Sequence, residues 1–154
     1  MELRYYEDMI PGETSAYGSY AVTREEVIAF AAKYDPQAFH LSDEAAAQTH
    51  FGRLSASGWH TCAMAMSMAV ANMAHERVAG LGSPGIDELR WVKPVYPGDT
   101  LRCEQVMLEK RRSKSRPEMG LTKGETRVYN QHDELVLRFV ANGMVATRDP
   151  AGTD

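Results

Sequence analysis

The sequence predicts an α+β domain in which a long antiparallel sheet encloses one apolar helix. Two features carry this reading. Thr61 to Val78 is dense in Ala and Met and apolar on nearly every side, turning polar only from His75, Glu76 and Arg77. A helix that is apolar all round is a buried one, so something must wrap around it. After Gly80 the pattern changes to the two-residue period of strands. Pro84 to Lys93 alternates around Ile86, Leu89, Trp91 and Val92, and Leu101 to Leu108, Leu121 to Tyr129 and Leu135 to Ala146 read as three more strands. A helix followed by a run of long antiparallel strands is the α+β order, with the helix on one face of the sheet.

The remaining elements follow in turn. A lead-in ends at the Pro11-Gly12 turn, and Tyr17 to Val22 forms a first strand. Thr23 and Glu26 make a capping box, and Val27, Ile28, Phe30, Ala31 and Tyr34 then give one apolar helical face. That helix stops near Tyr34, because Pro36 drives Asp35 out of the α region. Ser42, followed by Asp43 and Glu44, caps a short second helix. A loop from Gln48 to Trp59 carries Gly52 and Gly58 and leads into the apolar helix. Pro94 to Asp99 is a turn by composition, and Asn130 to Asp133 joins the last two strands as a hairpin. No linker or repeat divides the chain, so residues 1–154 read as a single domain with its core over 15–148. A sheet curled around one apolar helix is the hotdog arrangement.

Composition narrows the function. Of 154 residues, 44% are hydrophobic and 25% charged, which suits a chain that buries a full core. The net charge of −4 argues against nucleic acid as a partner, since duplex binding calls for a basic surface. The acidic start, Met1 to Asp8, is no secretory signal, and the apolar stretch Cys62 to Ala74 is broken and too short to span a bilayer. Cys62 and Cys103 read as buried free thiols of a reduced compartment, so the expected location is cytoplasmic. No His, Cys, Asp or Glu grouping has zinc-like spacing, and neither metal nor cofactor is expected.

Two loops hold the candidate chemistry. In Tyr34 to His40, Asp35 and His40 would point roughly 140° apart on a continuous helix. Pro36 forbids that helix, and a loop can bring the two side chains to one spot. A carboxylate and an imidazole at one spot form an acid–base pair, provided the buried Asp exchanges its proton near working pH. The bland alternative is a turn-capping Asp35 beside a satisfied loop histidine. In Phe51 to Thr61, Gly58 opens the apolar helix. Free N–H groups at a helix start suit a developing oxyanion, and a residue without a side chain lets a carbonyl approach. Gly58 is explained equally well as the relief of a steric clash.

Together, the Asp35–His40 spacing, the Phe51-Gly52-Arg53 turn, Ser57-Gly58 before the Met/Ala helix, and the Leu89 to Leu101 run with Pro94-Val95-Tyr96-Pro97-Gly98-Asp99 resemble the MaoC-like dehydratase family. The loop resembles that of (R)-specific enoyl-CoA hydratases. The resemblance implies water added to, or removed from, the 2,3-double bond of an acyl thioester in fatty acid metabolism. Asp35 and His40 would hold the water, one taking its proton and the other protonating the α-carbon. The Gly58 N–H would bind the thioester oxygen. It also implies a homodimer or an assembly of dimers, and an acyl-CoA or acyl-carrier substrate. Two departures stand out: Gln37 sits where the family loop usually has Asn, and Ser57 where it usually has His.

Other residues are weaker candidates. Ser57 and Trp59 flank the glycine, His60 orients or caps the helix, and Met64 belongs to a row that is core by default but suits an acyl pocket. Arg111 and Arg112 lie in the one basic run, Lys110 to Arg116. That run is a solvated strand extension or a site for coenzyme A phosphates. The competing functions are a hotdog thioesterase and a non-catalytic thioester-binding scaffold.

Overall fold

The elements form in the predicted order. In a computed structural model describing all 154 residues, they are β1 (Thr14–Ala21), α1 (Arg24–Tyr34), α2 (Asp43–Ala47), α3 (Gly58–Glu76), β2 (Gly80–Trp91), β3 (Thr100–Arg112), β4 (Met119–Tyr129) and β5 (Leu135–Ala146). The strands make one sheet in the order β1-β3-β4-β5-β2, antiparallel throughout. With α3 on one face, this is the hotdog fold. No helix is long and apolar enough to cross a membrane.

Local chemistry sets the helix ends. Thr23 Oγ1 accepts from the Glu26 N–H at 3.3 Å, and Ser42 Oγ from the Ala45 N–H at 3.1 Å. The return half of the expected capping box is not made. The Glu26 carboxylate turns instead to Tyr20 and His60, where it meets two stronger donors. Four strands run beyond their expected ends: β1 starts at Thr14, β2 at Gly80 and β4 at Met119, and β3 continues to Arg112 opposite Gly120 of β4. Cross-strand pairing carries these ends where alternation fades.

The main core joins Met64, Ala65 and Met68 of α3 to Leu101, Cys103, Val128, Val136 and Leu137 of the sheet, with Leu54, Ala56 and Val95 from the connecting loops. Leu54, Met64, Leu101 and Leu137 are at most 1% exposed. Each such side chain stabilises the fold by about 1.5–3 kcal/mol. The helix is not buried all round, however. His60, Thr61, Met64, Ala65 and Met68 face inward, while Met66, Val70 and Met73 are 56%, 54% and 43% exposed. One sheet covers one side of a helix, and this chain supplies only one sheet. Strand β2, at a sheet edge, is also exposed along almost its whole length.

Gly18 sets how closely α3 approaches β1. It lies at an irregularity in the β1–β3 register with φ +86°, and a Cβ there would stand 2.4 Å from Met68 Sδ. Gly18→Ala should therefore destabilise the fold by about 1–3 kcal/mol through combined backbone strain and overpacking. Urea unfolding that matches the wild type would show that the helix does not depend on this contact.

Candidate active site

Asp35 caps α1 with φ −151° and ψ 68°; its N–H still donates to Ala31 O at 2.9 Å, and the chain then leaves the helix at Pro36. A short 3-10 turn, Ala38–His40, carries the chain back. The consequence is convergence. His40 Nε2 and Asp35 Oδ2 stand 3.5 Å apart, with side chains 6% and 17% exposed.

The segment before α3 orients the histidine. His40 Nδ1 lies 2.7 Å from Ser55 O, and a carbonyl can only accept, so the proton sits on Nδ1. The basic lone pair of Nε2 is thereby aimed at Asp35. Ser55 is fully buried, and its neighbour Ala56 is tied to Val95 by an N–H···O bond of 2.8 Å. The acceptor is thus held by backbone bonds at the centre of the fold.

Asp35 is kept ionised. Burial pushes its carboxyl upward, but the combined hydrogen bonding and charge around it outweigh that effect. Gln37 Nε2 donates at 2.7 Å, the Ser57 hydroxyl dipole and the positive charge that His40 brings when protonated add to it, and the carboxyl lies below the ordinary 3.8. This corrects the expectation of a buried acid exchanging its proton at working pH: Asp35 stays a carboxylate. Ser57 Oγ is fully buried and favours that charge, yet it reaches no partner at normal hydrogen-bond geometry. The amide of Gln37 therefore acts on the carboxylate directly.

Both residues open onto a cleft of about 540 Å³, which Gly58, Trp59, Thr61 and Trp91 also line. Gly58 is the first residue of α3, and neither its N–H nor that of Trp59 has an acceptor within the fold. Phe39, Phe51 and the Val92–Val95 segment complete the walls. A carboxylate, an imidazole lone pair and free backbone N–H groups share one half-apolar space. That set can hold water, move a proton and stabilise an oxyanion.

A family model described as a MaoC like domain matches residues 9–129. The chain belongs to that family. It is 33% identical over 150 residues to a mesaconyl-CoA hydratase of Cereibacter sphaeroides, covering 96% of this chain and 43% of that protein. The chain thus spans under half the length of that relative. Among solved structures, a MaoC-like dehydratase from Rhodospirillum rubrum superposes with a TM-score of 0.86 at 36% identity, covering 95% of this chain and 99% of that one. The R-hydratase PhaJ1 of Pseudomonas aeruginosa superposes at 0.65 with 25% identity, covering 94% and 86%.

Within this MaoC-like fold, the predicted residues divide. Asp35, His40, Gly58 and Trp59 share the cleft, and Ser57 lies just behind it. Met64 does not reach it; it is 1% exposed in the core and borders a separate cleft of about 350 Å³ beside His60 and Phe30. Arg111 and Arg112 are not brought to it either. They end β3, roughly 36–40 Å along the strand from Thr100 at about 3.3 Å per residue. Arg112 is held there by Glu7 at 3.2 Å and Asp154 at 2.6 Å, so its guanidinium is already committed to carboxylates.

Several participants escaped the sequence reading. The Ser55 carbonyl carries no side-chain signal at all. The Tyr20–Glu26–His60 cluster joins three elements: His60 Nε2 meets Glu26 Oε1 at 2.9 Å, and Tyr20 donates to the same oxygen, which raises its own pKa to about 12. Trp91 appeared only as an apolar strand residue, though alternation with Leu89 could have placed it on the helix-facing side.

The Gln37 contact gives a test with a defined sign. Removing a donor to the ionised form raises a carboxyl pKa, so Asp35 should titrate higher in Gln37→Leu than in the wild type, by NMR of its Cγ. A depressed folded-state pKa contributes stability that is present above 3.8 and lost as pH falls through the folded value. Gln37→Leu should therefore lower stability at neutral pH and flatten its loss in acid. Identical titration curves for the two proteins would rule the contact out.

Proposed function

We propose that this chain catalyses the reversible hydration of the 2,3-double bond of an acyl-CoA thioester. The observation that carries the proposal is the meeting of Asp35 and His40, five residues apart in sequence, 3.5 Å apart in a cleft shared with the free Gly58 N–H. A water molecule hydrogen-bonded to Asp35 and His40 Nε2 is positioned to attack C3. Nε2 takes its proton, hydroxide adds to C3, and the electron pair of the double bond moves onto the thioester oxygen. The Gly58 N–H accommodates that enolate oxygen. The ionised Asp35 stabilises the imidazolium, which returns the proton to C2 and restores the starting state. Membership in the MaoC-like family and the similarity to a protein named mesaconyl-CoA hydratase support a coenzyme A thioester as substrate.

The active form we propose is a homodimer. Met66, Val70 and Met73 on α3, with Leu81, Ile86 and Trp91 on the open edge strand β2, leave a broad apolar surface uncovered. Such surfaces and open edges are normally paired. Light scattering at micromolar concentration should give twice the chain mass, and a strict monomer would refute the pairing.

The chemistry is tested by the loss of enoyl absorbance on adding the protein to crotonyl-CoA. Bleaching without free thiol is hydration, bleaching with free thiol is hydrolysis, and no change excludes catalysis on this substrate. Asp35→Asn and His40→Ala should each fold and lose ~100-fold or more of the rate. Wild-type turnover in either variant would overturn the assignment.

A further inference from the structure

The first turn of α3 is the part of the proposed site with the least obvious support. Its capping position is Ser57, whose hydroxyl makes no cap hydrogen bond and has no partner of normal geometry. Yet an oxyanion donor must hold its position closely, since a displacement near 1 Å can cost on the order of 100-fold in rate. Something outside the helix must hold it.

Trp91 lies directly against this turn. It is the last residue of β2, anchored opposite Leu137 of β5. Its indole Nε1–H donates to Gly58 O at 2.8 Å. Its ring also lies on the Gly58 backbone: a Cβ at position 58 would stand 2.6 Å from both Cε2 and Nε1. Trp59 meets the same ring edge-on, with centroids 5.2 Å apart and planes at 83°. The indole is thus bonded to one atom of Gly58 and packed on another, while its own backbone belongs to the sheet.

We infer that Trp91 is a positioning residue that fixes the Gly58 backbone, and so the Gly58 N–H as oxyanion donor, and makes glycine obligatory at position 58. The inference rests on the reading of Gly58 given above. The indole hydrogen bond removes the rotational freedom of the uncapped turn, and the ring excludes any side chain from the face it covers. It also polarises the Gly58–Trp59 peptide, whose N–H is free and adjacent. The sheet, through Trp91, sets where the N–H groups of the helix point.

The test uses Trp91→Phe, which keeps an aromatic ring and loses the N–H. Light scattering checks that the assembly is unchanged. With crotonyl-CoA, kcat should fall 10- to 100-fold while KM changes less than about threefold, because the lost interaction matters most when the oxygen carries charge. Infrared spectroscopy of bound butyryl-CoA, labelled with ¹³C at the thioester carbonyl, reads the same contact without turnover. The carbonyl stretch should move to lower frequency on binding to the wild type and move less on binding to Trp91→Phe.

No shift in the wild type would overturn the underlying reading of Gly58. A wild-type shift that Trp91→Phe reproduces, with kcat unchanged, would overturn the role of Trp91 alone. If Trp91→Phe does not fold, hydrogen exchange in the wild type decides. The Trp91 indole N–H, assigned against Trp59→Phe, should exchange slowly although its residue is 47% exposed. Exchange at the rate of a free indole would sink the proposal.

Discussion

The docking of one face of α3 on the sheet is the constraint from which the other features follow. Met64, Ala65 and Met68 enter the core opposite Leu101, Cys103 and Val128, and Gly18 yields the space that Met68 occupies. Once that stripe is seated, the helix cannot rotate or slide, and its N-terminal turn is committed to one end of the sheet. The loop before it, Leu54 to Ser57, must then pass through the interior, where its polar groups need partners. Leu54 N–H finds Asp43, Ala56 N–H finds Val95, and the Ser55 carbonyl finds His40. The orientation of the imidazole is therefore a by-product of satisfying a buried loop.

The electrostatics of the pair follow from the same burial. An isolated carboxylate in that position would be driven toward its neutral form. Three polar neighbours prevent this, and Gln37 is the best placed of them at 2.7 Å. In the proposed reaction the division of labour is simple: the carboxylate remains charged and the proton moves on the imidazole, whose other nitrogen is occupied by Ser55. A second charged cluster, Tyr20–Glu26–His60, sits on the opposite side of the same helical turn and ties it to β1 and α1. The start of α3 is thus held on two sides in place of a conventional cap.

What the fold leaves uncovered is also informative. The outward stripe of α3 is apolar and exposed, and β2 is exposed along its length with Leu81, Ile86 and Trp91 uncovered on it. They lie beside Trp59 and Trp91, so the uncovered surface runs up to the rim of the cleft. A partner copy on this face would bury the stripe and narrow the entrance together. The 43% coverage of the mesaconyl-CoA hydratase by this chain shows that the same unit also occurs within a longer protein.

The sequence by itself determined the class of fold, the element order and the break at Pro36; the meeting of Asp35 with His40 stood beside a bland alternative, and only the family resemblance favoured it. The first three rest on local rules: period, capping, and the steric demand of proline on its neighbour. It also suggested the helix start at Gly58, although both explanations of that glycine prove compatible, since the free N–H and the Trp91 ring lie on the same residue. Only the tertiary structure decided the rest. The half-exposed helix, the tautomer of His40, the grip of Trp91 on Gly58, and the distance of Arg111 and Arg112 from the cleft depend on groups far apart in the chain, and the ionised state of Asp35 on the way the folded loop turns Gln37 back onto it. Backbone carbonyls such as that of Ser55 carry no residue-specific signal, and a basic run reads alike whether its charges are free or, as for Arg112, already bound to carboxylates from both ends of the chain. Period and composition report what a residue is near in sequence; its charge state and its partners are set by what folding brings against it.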